Sequence, residues 1–290
     1  MRVVYSLPDA QLSRDSVVTI GAFDGVHRGH RAVLDSLRRA ALEQHRASVV
    51  VTFFPHPSVV LSHAEPFYLT SAEEKIVLLS EIGIDLLVVM SFTIETSKIR
   101  AADYVSMLIE RLRMSEVHVG HDFAFGHKRE GNIDFLRRVG AERGFSVRAV
   151  EALANGGAAI SSTGIRQALR GGDVETAARW LGRPFRLSGT ATHSRTPTLP
   201  HSQRAVHLEV WQEHAIPAHG AYACWAWVGN VKFKAIVTVG EQAMTGRKPI
   251  HTVEARLLAL DRDIGGQNVA LDFATRLRGE PRTRRSRGSG

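Results

Sequence analysis

The residues best suited to chemistry lie in one short stretch near the N-terminus, residues 21–30, GAFDGVHRGH. The β-branched run at 17–20 precedes it, and a segment with helical periodicity follows it at 31–45. A strand that turns through glycines into a helix brings unpaired backbone N–H groups and the positive end of the helix dipole together. His27 and His30 are expected to project from one side of that turn. The stretch therefore predicts a site for nucleotide phosphates.

Three later stretches also carry groups suited to binding. Residues 52–57, TFFPHP, offer aromatic rings, and their two prolines predict an extended path. Residues 120–132, GHDFAFGHKREGN, place an acidic residue, two aromatic rings and a basic pair among glycines, a set suited to a planar ring and its phosphate. Residues 160–166, ISSTGIR, combine three hydroxyls at a predicted helix start with an arginine one turn later, which predicts a second anion site. Each stretch also has a plainer interpretation, as core packing or as a helix cap.

The elements that must position these stretches alternate along the first part of the chain. Apolar, β-branched strands are predicted at 17–20, 48–53, 85–90, 116–120 and 146–150. Amphipathic helices are predicted near 31–45, 71–82, 101–113 and 132–143. This alternation indicates a parallel, Rossmann-like sheet covered on both faces, in which ligands bind at the carboxyl ends of the strands.

The pattern changes after Pro184. Strand-length segments without intervening helices follow at 186–192, 205–211, 220–228, 231–239, 252–260 and 268–276. They predict a small antiparallel β-barrel. The expected domains are therefore 1–184 for the parallel sheet, 185–279 for the barrel and 280–290 for a basic tail.

Composition limits the class of protein. The 290 residues are 44% hydrophobic and 23% charged, which is typical of a soluble globular chain. Cys224 is the single cysteine, so no internal disulfide exists. Neither a signal peptide nor a long apolar run is apparent, and we expect a cytoplasmic protein without a membrane partner.

The net charge of +8 is unevenly distributed. Residues 276–290 hold six arginines and one glutamate, a net charge of +5, which leaves +3 for the rest. The body is therefore only mildly basic, as a protein that binds anionic nucleotides is expected to be. A nucleic-acid partner is not expected except through this tail.

The histidine stretch is neither a Walker A loop nor a GxGxxG fingerprint. His27-Arg28-Gly29-His30 resembles the HxGH signature of the nucleotidyltransferase superfamily. The four stretches in order, followed by an LGRP at 181–184, resemble the FMN adenylyltransferase domain of bacterial bifunctional riboflavin kinase/FAD synthetases. The resemblance covers about residues 15–186. Phe54 departs from it, since the family often has an acidic residue there.

The resemblance implies transfer of AMP from ATP to the phosphate of FMN, giving FAD and pyrophosphate, with Mg²⁺ carried by the ATP phosphates and no metal ligand named on the chain. Three residues would be catalytic: His27, His30 and Arg166. Residues that would bind ATP are Gly21, Phe23, Asp24, Gly29, Ser161, Ser162 and Thr163. Residues that would contact the flavin are Phe53, Phe54, Pro57, Asp122, Phe123 and Phe125. For the phenylalanines, core packing is an equal alternative.

The second half resembles the riboflavin kinase barrel of the same family. The segments 217–223 and 252–258 match two of its motifs, and Glu254 falls on its general base. The threonine and asparagine that position Mg²⁺ and ATP are replaced by Ala205 and His207, and a methyl group cannot bind a metal. The loop glycines are replaced by Ser194, Thr196, Thr198 and Ser202. We therefore expect Glu254 to be the vestige of a kinase that has lost its activity.

Three alternatives stay open at this point. The barrel could retain its activity, which would make the protein fully bifunctional. The first domain could transfer nucleotides to another phosphorylated small molecule. The chain could also be a non-catalytic protein that binds nucleotides or nucleic acid. Oligomeric state does not follow from the sequence.

Overall fold

A computed structural model describes residues 1–62, 67–155, 158–192, 205–244 and 247–278. Its internal contacts divide the chain into two compact units, Met1–Ser162 and the part that begins at Thr163. This division falls earlier than the domain boundary that the sequence suggests after residue 184, because the helix Val174–Leu181 packs against barrel strands. The boundary at 184 stays a prediction. No helix of the described residues is long and apolar enough to cross a membrane.

The first unit is a six-stranded parallel sheet with helices. Its strands are β1 (Arg2–Val4), β2 (Ser16–Ile20), β3 (Ala47–Phe54), β4 (Leu86–Ser91), β5 (Met114–Gly120) and β6 (Ser146–Val150). Its helices are α1 (Arg28–Glu43), α2 (Pro57–Ser62), α3 (Ala72–Ser80), α4 (Ala101–Leu112) and α5 (Ile133–Arg143). A two-stranded hairpin follows, formed by β7 (Ala154–Asn155) and β8 (Ala158–Ala159).

The order of the strands creates a crevice. The sheet runs β1-β4-β3-β2-β5-β6, so the chain moves outward from β2 through β3 to β4 and then returns to place β5 on the other side of β2. In open parallel sheets, ligands bind where the order reverses, outside the carboxyl ends of the strands. The reversal here lies between β2 and β5. The 21–30 stretch leaves β2 and the 120–132 stretch leaves β5, so two predicted binding stretches lie at this crevice.

Apolar burial explains why the central strands form. All five residues of β2 are buried, as are the first six of β3, which is the pattern of strands covered on both faces. On one face, α1 packs the buried side chains Val33, Leu34, Leu37, Ala40 and Ala41. This apolar stripe fixes the helix over the sheet and so fixes the turn that precedes it.

The second unit contains two helices and a closed antiparallel barrel. The helices are α6 (Ser162–Gly171), which begins at the division between the units, and α7 (Val174–Leu181). The barrel strands are β9 (Phe185–Thr192), β10 (Val206–Val210), β11 (Gly220–Val228), β12 (Val231–Met244), β13 (Arg247–Leu257) and β14 (Asn268–Arg278). They close in the order β10-β13-β12-β11-β14-β9.

The architecture predicted from the sequence is confirmed in both units. The five predicted parallel strands and the six predicted barrel strands are all present. The edge strand β1 was not predicted. The extended path predicted for 52–57 is wrong at its end, because Pro57 is the first residue of α2. Proline suits the first helical position, where its missing N–H is not needed.

Candidate active site

The turn between β2 and α1 brings the two histidines together. His27 is the N-cap of α1, and its Nδ1 accepts a hydrogen bond of 3.2 Å from the backbone N–H of His30. Since Nδ1 is the acceptor, the proton of the neutral His27 ring lies on Nε2. The two rings are stacked, with centroids 3.6 Å apart and planes 18° apart. The helix begins three residues earlier than the sequence pattern indicates because His27 caps it.

Gly29 makes this stacking possible. A Cβ at Gly29 would lie 3.1 Å from Cε1 and 3.2 Å from Nδ1 of His27, tighter than ordinary contacts. It would also lie 3.4 Å from the carbonyl oxygen of Ile160. The glycine between the histidines therefore leaves room for the His27 ring and for the close approach of the 160–166 stretch.

The turn itself holds an uncommon backbone conformation. Phe23 has φ +48°, Gly25 +80° and Val26 +39°, and a positive φ is rare for a β-branched residue such as Val26. Phe23 and Val26 are almost fully buried, at 3% and 0% exposure. Their packing against α1 and the sheet holds the strained turn. The Phe23 side chain, predicted to bind ATP, is a core residue whose ring edge contacts His30 at 5.2 Å between centroids.

Asp24 fixes the turn from inside. Its carboxylate is buried and accepts hydrogen bonds from the backbone N–H of Leu69 at 3.1 Å and of Thr70 at 3.2 Å. The Thr70 hydroxyl donates to the same carboxylate and accepts from the N–H of Gly25. Asp24, predicted to bind ATP, thus organises the loop through partners some 45 residues away.

Lys75 is a residue of this region that the sequence analysis missed. Its side chain lies on α3 and is 6% exposed. Its ammonium group donates to the carbonyl oxygens of Ala22 at 2.9 Å and Phe53 at 3.2 Å. Burial lowers the pKa of Lys75 to about 8, against the opposing effect of the Asp24 charge. The available signal was a lysine four residues before Leu79, on the buried face of an amphipathic helix.

The end of β3 lies beside this turn. The Thr52 hydroxyl donates to the carbonyl oxygen of Ala22 at 3.0 Å, which joins the first two predicted stretches. Phe53 and Phe54 are half-buried. The Phe53 ring contacts Phe92, and the Phe54 ring contacts Tyr68 at 5.6 Å between centroids. Their flavin contacts and that of Pro57 stay predictions.

The loop after β5 folds onto the start of α4. Phe125 pairs with Gly131 in a β-bridge, and the rings of Phe123 and Phe125 stack with centroids 5.3 Å apart. Both rings pack against the sheet core and keep a partly exposed side, so the predicted core role is present. Glu130 accepts a 2.8 Å hydrogen bond from the N–H of Ala101, the first residue of α4. The Asp122 side chain is 85% exposed.

The fourth stretch reaches the histidine turn. The Ser162 hydroxyl donates to the carbonyl oxygen of Asp24 at 2.9 Å. Ser161 precedes it, and Thr163 and Arg166 follow on α6, in the second compact unit. This hydrogen bond joins Ser162 to the turn, and the shared site of the two stretches stays a prediction. The roles of Thr163 and Arg166 stay predictions.

Glu254 lies on the outside of the barrel. It is exposed, whereas its neighbours Val253 and Ala255 point inward and are fully buried. It is paired in register with His207 on β10 and Thr238 on β12. His207, which the resemblance sets at the family's asparagine, therefore lies opposite the predicted base. Residues 193–204, on which the predicted glycine losses fall, lie outside the described part of the chain, as does the tail from 279 onward.

The described residues contain no group of three or more His, Cys, Asp or Glu side chains that could hold a metal ion. The Asp24 carboxylate is satisfied by backbone N–H groups and the Thr70 hydroxyl. Among the described residues, the Asp24 carboxylate is thus already engaged within the protein.

Comparison with known proteins identifies two matching family models. The FAD synthetase family model matches residues 9–164, more than half of the chain, and the riboflavin kinase model matches residues 181–285. The chain belongs to the bifunctional riboflavin kinase/FMN adenylyltransferase family. A relative of that name from Pseudomonas fluorescens is 31% identical over 93% of this chain and 86% of its own length. Another, from Escherichia coli strain K12, is 30% identical over 97% and 90%.

A solved structure has the same fold. It is described as a macrolide-efflux protein from Streptococcus pneumoniae, with a TM-score of 0.88 and 24% identity over 97% of this chain and 91% of its own. At this identity the likeness concerns the fold alone. It agrees with the succession of a parallel sheet and a closed barrel.

Proposed function

We propose that this protein is an FMN adenylyltransferase, which transfers AMP from ATP to FMN. The observation that carries the proposal is the stacked His27–His30 pair at the N-terminus of α1, beside the strand-order reversal. Family membership supports the same reaction. ATP and FMN are the substrates, and Mg²⁺ is proposed to arrive on the ATP phosphates, where it offsets their charge.

The reaction needs orientation more than a strong base. An oxygen of the FMN phosphate, anionic at neutral pH, attacks the α-phosphorus of ATP. The bond from that phosphorus to the bridging oxygen of the β-phosphate breaks, and pyrophosphate leaves with the electron pair. Negative charge must be stabilised on the α-phosphate and on the leaving group. No protein nucleophile takes part.

Each proposed residue has a part in this scheme. The His30 ring and the Nε2–H of His27 donate hydrogen bonds to phosphate oxygens, and the first turn of α1 contributes its backbone N–H groups. Ser161, Ser162, Thr163 and Arg166 bind the β- and γ-phosphates, Arg166 through its bidentate guanidinium. Phe53, Phe54, Phe123 and Phe125 present partly exposed rings to the isoalloxazine.

We also propose that the barrel does not phosphorylate riboflavin. Ala205 and His207 replace the residues that the resemblance assigns to Mg²⁺ and ATP, and an imidazole opposite Glu254 changes the surroundings of the proposed base. The alternative is a fully bifunctional enzyme, which the match to the riboflavin kinase model favours.

Product analysis decides between these functions. The purified full chain is incubated with ATP and Mg²⁺, and with FMN or riboflavin in separate reactions, and the flavins are separated by chromatography. We expect FAD from FMN and no product from riboflavin. Absence of FAD from the FMN reaction would refute the adenylyltransferase, and FMN formed from riboflavin would establish the bifunctional alternative.

A further inference from the structure

Lys75 connects two of the stretches that form the proposed site. Its ammonium group donates to the carbonyl of Ala22, in the histidine turn, and to the carbonyl of Phe53, at the end of β3. The Ala22 oxygen also accepts from the Thr52 hydroxyl. The turn after β2 and the end of β3 are therefore held together by one buried cation and one buried hydroxyl.

The same turn holds the opposite charge. Asp24 is 1% exposed and accepts hydrogen bonds from Leu69 and Thr70, just before the helix that carries Lys75. The carboxylate and the ammonium group attract each other electrostatically, and each has its own set of backbone partners. Two buried charges thus hold one short piece of backbone, residues 22–26: Asp24 lies within it, and Lys75 binds its Ala22 carbonyl.

That piece of backbone needs constraint. Phe23 and Val26 both have positive φ angles, and such conformations persist only where the surroundings over-determine them. We propose that Lys75 is a positioning residue for adenylyl transfer, whose ammonium group fixes where the turn presents His27 and His30 relative to the 52–57 stretch. The proposal rests on the proposed function.

A purely structural role explains the position less well. Removing an ammonium group from water is costly, and an apolar side chain at the buried position on α3 would fill the space without that cost. The lysine reaches past the core to two carbonyl oxygens that belong to different ligand-binding stretches. Its contacts therefore set the position of the turn relative to the end of β3.

The test separates positioning from folding. Lys75→Met removes the charge and keeps the length, Lys75→Arg keeps the charge, and Leu79→Ala weakens the buried face of the same helix without touching either carbonyl. For each full-length variant, kcat and KM for FAD formation are measured, together with hydrogen exchange in α3 and in residues 21–30.

We expect Lys75→Met to lower kcat about tenfold or more, since small displacements of catalytic groups have effects of this size, with KM for ATP within about threefold of wild type. Exchange in residues 21–30 should rise, and Lys75→Arg should recover part of kcat. Leu79→Ala should speed exchange in α3 and lower kcat much less than Lys75→Met does, since it leaves both carbonyl contacts in place. The proposal would be overturned if Lys75→Met kept the wild-type kcat. It would also be overturned if Leu79→Ala, with an equal rise in the exchange of α3, lost as much kcat as Lys75→Met.

Failure of the proposed function gives a different result. Wild-type protein that makes no FAD from FMN would refute the function itself. In that case, hydrogen exchange still tests whether Lys75 fixes the turn. Unchanged exchange of residues 21–30 in Lys75→Met would show that it does not.

Discussion

Two imidazoles stacked at a helix N-terminus are the residues on which the proposed chemistry depends. His27 uses Nδ1 to cap the helix, so its ring is oriented before any ligand binds. Preorganised donors stabilise transition-state charge without a reorganisation cost. We therefore expect the capping bond to have a catalytic consequence as well as a structural one.

Replacing His30 by alanine should abolish most of the turnover. Loss of one preorganised donor costs on the order of 3 kcal/mol, so we expect kcat to fall about a hundredfold or more. Arg28→Ala is the matched control, because Arg28 is exposed within the same HxGH stretch. Steady-state FAD synthesis measures both, and near-wild-type turnover in His30→Ala would contradict the assignment.

Gly29→Ala tests the packing of the histidine pair. The new methyl group would lie 3.1 Å from the His27 ring, so the ring must move and its capping bond must weaken. We expect kcat to drop about tenfold or more, from misplacement of the donor. Gly171→Ala is the control, since a Cβ there meets no atom within 4 Å. Equal activity of the two variants would show that the stacking is not needed.

The buried ammonium group predicts opposite pH effects on activity and stability. Lys75 has a folded-state pKa of about 8 against an ordinary value of 10.5, so the unfolded chain binds more protons between these pH values. The contribution of Lys75 to the free energy of unfolding should therefore rise with pH across this window, by about 3 kcal/mol at 1.36 kcal/mol per pKa unit.

If the charged form positions the turn, kcat should fall as the pH rises through about 8 while this stability contribution grows. The group faces the Asp24 carboxylate, which favours the charged form. Measuring both profiles for wild type and for Lys75→Met isolates the effect, because the variant lacks the titrating group. Identical kcat profiles of the two proteins above pH 8 would contradict the prediction.

At the scale of elements, α3 holds Lys75 beside the Ala22 and Phe53 carbonyls. It begins with a capping box, in which Ser71 Oγ accepts from the N–H of Glu74 at 3.1 Å and the Glu74 carboxylate accepts from the N–H of Ser71 at 3.0 Å. The sequence predicts this start, because serine followed three residues later by glutamate is its signature.

Ser71→Ala should loosen α3 by about 1 kcal/mol, the usual value of an N-cap. All four tryptophans, at 180, 211, 225 and 227, belong to the second unit, so their fluorescence does not report on this helix. Hydrogen exchange of the α3 amides does, and we expect it to be about fivefold faster. Ser71→Asp should keep the slow exchange, and unchanged exchange in Ser71→Ala would show that the cap contributes nothing.

The elements that sequence reasoning located are those with a repeated pattern. Alternating apolar strands and amphipathic helices predicted the parallel sheet, and six short strands predicted the barrel. The edge strand β1 has three residues, too few for a pattern. The helix α2 was missed because Pro57 indicates an extended chain unless it occupies the first helical position.

The residues of the candidate site could be predicted from the sequence, but the distant residues that hold them in place could not. His27, Gly29 and His30 are recognisable from spacing after a strand. The Asp24 contacts with Leu69 and Thr70 join segments 45 residues apart, and no local pattern encodes them. The spacing of Lys75 from Leu79 indicates a buried position, but its partners, the Ala22 and Phe53 carbonyls, are brought beside it only by the fold.

At the scale of the whole molecule, the chain combines a part that matches the FAD synthetase model with a barrel that matches the riboflavin kinase model, and we propose that the barrel has lost its activity. The closed sheet keeps its apolar interior while Glu254 remains on the outer face. A barrel can retain its fold after losing its chemistry, because burial inside and exposure outside depend on different residues. The two activities therefore have to be tested separately.

Isotope transfer from ATP tests the central claim most directly. The full chain is given FMN with ATP labelled at the α-phosphate, and riboflavin with ATP labelled at the γ-phosphate. We expect label in FAD from the first reaction and no labelled FMN from the second. Unlabelled flavin in the first reaction would contradict the proposed transfer of AMP at the histidine turn.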